Sequence, residues 1–429
     1  MKNLILALLF SAGFLSAFPQ ELEDDVLSML MKESKYEKAI EHIAGMEESK
    51  DVLYQQGLCY KALNDYATAI TLFERLLSEY PTDTPVKLQL LDCLEAAMRY
   101  DEAIGYLDEL LITDPDNAYF TLRKANLEYD SEHYPLALKL YSGINNSNSS
   151  SFTLRRIASC FNKTNRVDSA RLYYSKAYAM DNKDVASALN LVKIDVDREE
   201  YVPAIAFSDA FMAADSSNVK MNILNAFAYY SLNDYEEAVK RFERCVQLGD
   251  SSFLTVRSLG ISHYFLKNDS VAYPYLDHAY RQDTLNNAVL HALAITCNNL
   301  ERYTESIEHY NTLLDRTIPG DDVLYNFYQG LASAYERGGD AENAIINYTR
   351  AAEYASPTQN MLLYFTLAQL YEEKLGDISG ALIFYDKYLH SLTLYRDLEA
   401  EEMDIVDKKV IDYKISELNK HIKELRVKN

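Results

Sequence analysis

The 429-residue chain has no tryptophan, and only 13 glycines and 9 prolines. So few turn-formers over that length argue against a sandwich of many short strands and leave helices as the default. Positive charge is also scarce: 42 lysines and arginines face 65 aspartates and glutamates, for a net charge of −23. Binding to phosphates needs a basic footprint, so a nucleic-acid partner is set aside. Signatures of catalysis are missing as well. There is no HExxH metal pair, no glycine-rich phosphate loop and no GxSxG elbow. The eight histidines, from His42 to His421, are scattered. On these grounds no catalytic residue, metal or cofactor is assigned, and the chain is read as a non-enzyme.

Beyond the first turns of the sequence, no stretch approaches the ~18 continuous apolar residues of a membrane-spanning helix. The N-terminus itself is apolar: Lys2 precedes a run from Leu4 to Leu15, followed by Ser16-Ala17 and then by the acidic Glu21–Asp25. A positive start, a short apolar run and a small-residue exit describe a secretory leader. Residues 1–17 are therefore expected to be removed after Ala17, with cleavage after Gly13 as the competing site. Export into a periplasm or beyond it is expected, with no stable membrane insertion afterwards. Five cysteines, an odd number, cannot all pair. Cys59, Cys93 and Cys160 recur in one slot of a repeating pattern, and Cys245 and Cys297 also fall on packing positions. All five are expected to be small buried packing residues and not disulfide halves.

What the chain has in abundance is hydrophobic residues (48%) and tyrosine (35 residues), enough for an extended core packed by tyrosine instead of tryptophan. They are arranged with a period. Small residues recur at Ala69, Ala103, Ala137, Ala170, Ala204, Ala238, Ala272, Ser306, Ala344 and Ala381. The steps are 34 or 33 until Ser306 and then 38 and 37. A second series, Gly57, Ala125, Ala158, Ala226, Gly260, Ala294, Ala332 and Ala368, keeps the same phase. Leu91 and Val192 interrupt it, and large residues there are expected to widen the local helix spacing. A fixed period of this size points to stacked helix pairs, each burying its apolar face against the next.

The pattern resembles the tetratricopeptide repeat (TPR) family from about residue 51 to 392. That family places small residues at the eighth and twentieth positions of each repeat and aromatics at the seventeenth and twenty-fourth. Here these aromatics are Tyr66, Tyr100, Tyr134, Tyr201, Tyr235 and Tyr303, then Phe73, Tyr141, Tyr174, Phe242, Tyr310, Tyr348 and Tyr385. The resemblance implies an all-α, right-handed solenoid of about ten helix pairs. Residues 18–50 are read as an N-terminal capping pair, 51–142 as repeats 1–3, and 151–392 as repeats 4–10. The polar run 143–150 should cut the second helix of repeat 3 short and act as a linker or hinge. Thr317–Asp322 reads as a surface loop. Residues 393–429 form a charged helix whose seam, Ile411, Ile415, Leu418, Ile422 and Leu425, caps the last repeat. A monomer follows from capping; a dimer through that helix is the alternative.

In the family the first helices line a concave groove. At the groove positions of repeats 3–7 the chain carries Tyr119, Tyr129, Phe152, Arg155, Lys163, Lys193, Lys220, Phe227, Tyr230, Arg257 and Tyr264. Cations and aromatics together are common anchors of interfaces. The leading expectation is an exported scaffold that holds a protein or an acidic peptide segment in this groove. The alternative is a carbohydrate-binding repeat protein of the cell envelope.

Overall fold

The computed structural model describes residues 25–147, 149–316, 320–398 and 405–428. The expected leader lies outside them. Among the described residues the chain is all-α, and it divides into two compact units, Met1–Ile194 and Asp195–Asn429.

The first unit opens with a short pair, α1 (Asp25–Lys32) and α2 (Tyr36–Ile43). Leu27, Ala39 and Ile43 pack with Val52 and Cys59 of the next pair, so the expected cap is present. Four pairs of near-constant length follow. They are α3 (Lys50–Ala62) with α4 (Tyr66–Glu79), α5 (Thr84–Ala96) with α6 (Tyr100–Thr113), α7 (Ala118–Asp130) with α8 (Tyr134–Ser147), and α9 (Ser151–Lys163) with α10 (Val167–Met180). Helix α11 (Val185–Asp197) begins repeat 5. The second unit holds α12 (Tyr201–Met212) and repeats 6–10. These are α13 (Val219–Ser231) with α14 (Tyr235–Gln247), α15 (Phe253–Phe265) with α16 (Asp269–Gln282), and α17 (Asn287–Asn299) with α18 (Tyr303–Arg316). The last two are α19 (Asp321–Arg337) with α20 (Ala341–Tyr354), and α21 (Pro357–Gln369) with α22 (Ile378–Leu398).

Each second helix presents its small residue to the first, and from Ala69 to Ala381 every one of these residues is fully buried. Where serine replaces alanine, Ser306 Oγ donates to the Ala294 carbonyl at 2.9 Å, so no buried hydroxyl is left unpaired. The helices of the α5–α6 pair, where Leu91 fills the small slot, approach each other less closely along their length than those of the flanking repeats. That is the expected consequence of a buried leucine at a site made for glycine or alanine. All five cysteines are free and buried. Burial pushes the thiols of Cys59, Cys93 and Cys160 up to about 11, and those of Cys245 and Cys297 up to about 12.

The turn inside each repeat has one recurrent device. Asn64, Met98, Glu132, Asn165, Glu199, Asn233, Lys267 and Glu301 all take a positive φ near 60°. The next amide then reaches back five residues, as Arg99 N does to the Leu94 carbonyl at 2.8 Å, closing the first helix in a left-handed cap. Only Gly339 and Gly376 bring glycine to this job. Elsewhere a Cβ is held where L-residues are strained by ~1–2 kcal/mol. Met98 is also 75% exposed, so its side chain contributes little packing. Met98→Gly is therefore expected to stabilise the protein by about 0.5–1 kcal/mol, after the greater chain entropy of glycine is subtracted. Urea melts check this: the midpoint should rise at unchanged slope, and a lower midpoint would refute strain at the turn.

A local change accounts for the longer step to Ala344 and for one of the three extra residues in the step to Ala381. Helix α19 begins at Asp321, four residues longer than the usual thirteen, so Asp321-Asp322 form its first turn and do not belong to a loop. Residues 317–319 lie outside the described ones. In repeat 10 the first helix runs into a π-helical turn, Leu370–Leu375, before Gly376 at φ 67°. Eight residues separate Ala368 from Gly376 where the other repeats take seven, the single-residue insertion a π-turn makes.

The polar run after Tyr141 departs from expectation. Helix α8 continues to Ser147 despite its poor helix formers, and reaches the same length as α4, α6 and α10. Ser150 then caps α9, accepting from Thr153 N while the Thr153 hydroxyl accepts from Ser150 N. Residues 143–147 are thus helix, because packing of the repeat outweighs their propensity. At the other end, α23 (Ile405–Lys428) buries Leu418, Ile422 and Leu425 against Ala368, Ala381 and Tyr385. Arg426 pairs with Asp386 at 2.8 Å, and His421 Nε2 lies 2.9 Å from Glu372. The seam caps the last repeat.

Candidate partner-binding face

The first helices carry the candidate residues because the eighth position of each is spent on close packing. Residues three or six before it and one or four after it fall on a neighbouring stripe. In the first unit this stripe runs from α3 to α11. Tyr119 at the start of α7 is 59% exposed, and Arg123 one turn on donates to its hydroxyl at 3.3 Å. Tyr129 is half-buried: its hydroxyl lies 2.6 Å from Ser159 Oγ, and its ring meets Tyr134 edge-on at 5.4 Å. Phe152 lies under two guanidiniums, those of Arg155 at 5.7 Å and Arg156 at 5.4 Å. Lys163 and Lys193 are exposed, with Lys163 Nζ 6.0 Å from the centre of the Tyr134 ring.

Electrostatically the stripe is less basic than its sequence suggests. Arg155 donates at 2.6 Å to Asp184, a carboxylate almost wholly withdrawn from water that also accepts from Ser187 N and Oγ at the start of α11. Arg155 thus links repeats 4 and 5, and its charge is already matched. A second ladder crosses repeats 1–3. Lys61 donates to Asp92 at 2.6 Å, and Arg123 donates to the same Asp92 and to Glu95. Burial alone would lower the pKa of Arg123, but the hydrogen bonds and charges of Glu95 and Asp92 outweigh it and hold the pKa above its ordinary value. In this unit the cations left without a carboxylate are, among the groove candidates, Lys163 and Lys193.

In the second unit Lys220 is exposed near the start of α13. Phe227 and Tyr230 stack at 6.1 Å, and Tyr230 also meets Tyr235 and Phe242 edge-on. Tyr235 in turn stacks on Phe265 at 4.6 Å with an interplanar angle of 12°, bridging repeats 6 and 7. Arg257 lies 6.0 Å over Phe253, and its buried Nε has no hydrogen-bond partner among the described residues. Tyr264 is half-buried beside Phe265, under the ammonium of Lys267 at 5.5 Å. Burial and the charge of Asp269 both raise its pKa, so it stays a neutral phenol. The aromatics of this half are partly consumed in packing between neighbouring repeats.

Sequence reasoning named Arg155 but not Asp184, and missed Arg123 and Arg156. The signal for the arginines was there: both stand two residues before the small slot (Ala125 and Ala158), on the edge of the stripe. Asp184 gave none, because it lies between helices and its partner is 29 residues away.

Models of the tetratricopeptide repeat match residues 60–147, 221–248 and 325–357. A TPR repeat-containing protein of Methanocaldococcus jannaschii is 25% identical over 364 residues, which cover 80% of this chain and 56% of the relative. The chain thus spans little more than half of that relative's length. Among solved structures it is similar to YrrB, described as a TPR protein with an unusual peptide-binding site. The identity is 19%, over 45% of this chain and 96% of the other, with a TM-score of 0.41. It is also similar to the C-terminal part of a TPR repeat-containing protein from Cytophaga hutchinsonii. There the identity is 16%, over 62% of this chain and 93% of that one, with a TM-score of 0.42.

Proposed function

The chain is a tetratricopeptide-repeat protein, and from that premise we propose that it is a non-enzymatic scaffold whose first-helix stripe holds an acidic peptide segment of a partner. One observation carries the reading. Lys163 and Lys193 in the first unit, and Lys220 in the second, are exposed and without a carboxylate partner, and Lys163 lies beside the Tyr134 ring, in a protein whose net charge is −23. In contrast, Lys61, Arg123 and Arg155 are met by acids of the chain itself. Unmatched lysines in an acidic field attract an acidic ligand with little desolvation cost. They act mainly on encounter rate and on salt dependence. Arg123 and Arg155 serve as structural ties between repeats, and Tyr119, Phe152 and Phe227 supply apolar contact. The same reading keeps the exported location, which rests on Lys2 and the Leu4–Leu15 run alone.

A fluorescent, glutamate-rich peptide titrated into the purified chain tests the reading by anisotropy. Reversing Lys163, Lys193 and Lys220 to Glu together is expected to weaken binding at least ~10-fold and to flatten its salt dependence. Reversing Lys240, which is paired with Glu237 on a second helix, should leave binding unchanged. Equal affinity for the wild type and the triple variant would refute the stripe as the binding face.

A further inference from the structure

Repeat 8 departs from its neighbours at two facing positions at once. The slot three residues after the small residue of the first helix is aromatic in five repeats (Tyr60, Phe161, Tyr229, Tyr335 and Tyr371) and Leu94, Glu128, Asp195 or His263 in four, but it is Cys297 here. On the second helix, the slot that holds a bulky apolar or aromatic residue in seven repeats (Leu72, Tyr106, Leu140, Tyr173, Phe207, Tyr275 and Phe384), and Arg241 or Asn347 in two, holds His309. Repeat 8 alone pairs a thiol with an imidazole at these slots, and Glu305 stands one turn before the histidine on the same face of α18. The ligand atoms of Cys297, Glu305 and His309 all lie within 4.8 Å of one another.

We propose that Cys297, Glu305 and His309 form a binding site for Zn²⁺, with the fourth position open to water. A tetrahedral zinc ion with bonds of about 2.0–2.3 Å holds its ligand atoms roughly 3.4–3.6 Å apart. Closing the present spread takes about an ångström of side-chain adjustment from groups on two packed helices. The soft thiolate, the imidazole and the carboxylate together suit zinc better than calcium or magnesium, which call for oxygen-only sets.

The surroundings resemble an outer shell. Tyr273 Oη donates to one Glu305 oxygen at 3.0 Å, and Arg302 Nε and Nη2 donate to the other at 2.9 and 2.7 Å. The Arg302 guanidinium lies 3.9 Å over the Tyr273 ring, so the Glu305 carboxylate is held by two groups that brace each other. Cys297 is wholly buried, but the Glu305 side chain is 38% exposed, which gives an ion a way in. Binding displaces the Cys297 proton: the S–H bond breaks, its electron pair becomes the S–Zn bond, and the proton leaves to water.

The test uses the full chain stripped with a chelator, and Co²⁺ as a spectroscopic probe. One equivalent should produce a thiolate-to-cobalt charge-transfer band with intense visible bands of tetrahedral geometry, and one equivalent of Zn²⁺ should abolish them. Cys297→Ser and His309→Gln should each remove the band and weaken Zn²⁺ at least ~100-fold by calorimetry. Cys245→Ser, at an equally buried cysteine, should keep it. His309→Gln and Glu305→Gln alter partly exposed groups, so unchanged far-UV circular dichroism separates lost binding from lost folding. Zn²⁺ should raise the melting temperature of the wild type and not that of His309→Gln. No charge-transfer band, or a band that survives Cys297→Ser, overturns the site.

Discussion

Phe73→Ala is expected to cost about 3–5 kcal/mol, as truncation of a fully buried aromatic does. The ring is wholly buried between the helices of repeat 1, edge-on to Tyr54 at 6.0 Å, and belongs to the core cluster that extends through repeat 2. Gly57 exists to admit it: a Cβ at Gly57 would come to 2.7 Å from two atoms of the ring. The two positions should therefore be strongly coupled. Gly57→Ala is expected to destabilise the wild type by ~1–3 kcal/mol through overpacking. In the Phe73→Ala background it should instead be neutral or stabilising, because the added methyl enters the vacated space and alanine favours helix. A double-mutant cycle by urea denaturation measures this; additive effects would mean the contact does not define the repeat. Because repeats interact with their neighbours alone, hydrogen exchange should show protection lost around repeats 1 and 2 and kept in repeats 8–10.

Gly330→Ala should be nearly as damaging, by a different route. Its Cβ would lie 2.2 Å from Tyr310 Oη and 2.3 Å from Cζ, far inside contact distance. Tyr310 is buried from the second helix of repeat 8 and cannot swing out, since Leu290, Ala294, Leu313, Phe327 and Leu331 surround it in one cluster. The helices α18 and α19 must part, at a cost of roughly 3 kcal/mol or more. Thermal melts of Gly330→Ala and of Gly330→Ala with Tyr310→Leu give the check. The shorter leucine should restore part of the loss; no loss in the single variant would refute the close approach. Gly330 stands two residues before the small slot, outside the repeat signature, so its role follows from one neighbouring tyrosine.

These two glycines mark the limit of what could be read from residues alone. Gly57 was legible, because it recurs in phase with Gly260 and with alanines, and a period carried by small residues means helices in contact. The same periodicity located the buried aromatics Phe73 to Tyr385, the packing cysteines and the capping seam of α23. Gly330 was not legible, nor was the continuation of α8 through a serine- and asparagine-rich run. Local propensity argued for a break there, and only packing against the adjacent helices overrides it.

For the binding face the division is sharper. Position in the repeat marked which side chains share a stripe, since helix geometry alone places them. Which charges on it are free was decided by partners about thirty residues away, such as Asp184 for Arg155 and Asp92 for Lys61. A solenoid brings residue i to roughly i+30 of the next repeat, and side-chain reach across that step is invisible to a linear pattern. The same holds for Cys297 with Glu305 and His309, which a turn between two helices folds together. The sequence by itself determined an all-α stack of tetratricopeptide repeats, because periodic burial of apolar surface is a one-dimensional property. Only the tertiary structure decided which polar groups neutralise one another and which remain available, because that depends on distances between helices that the period does not encode.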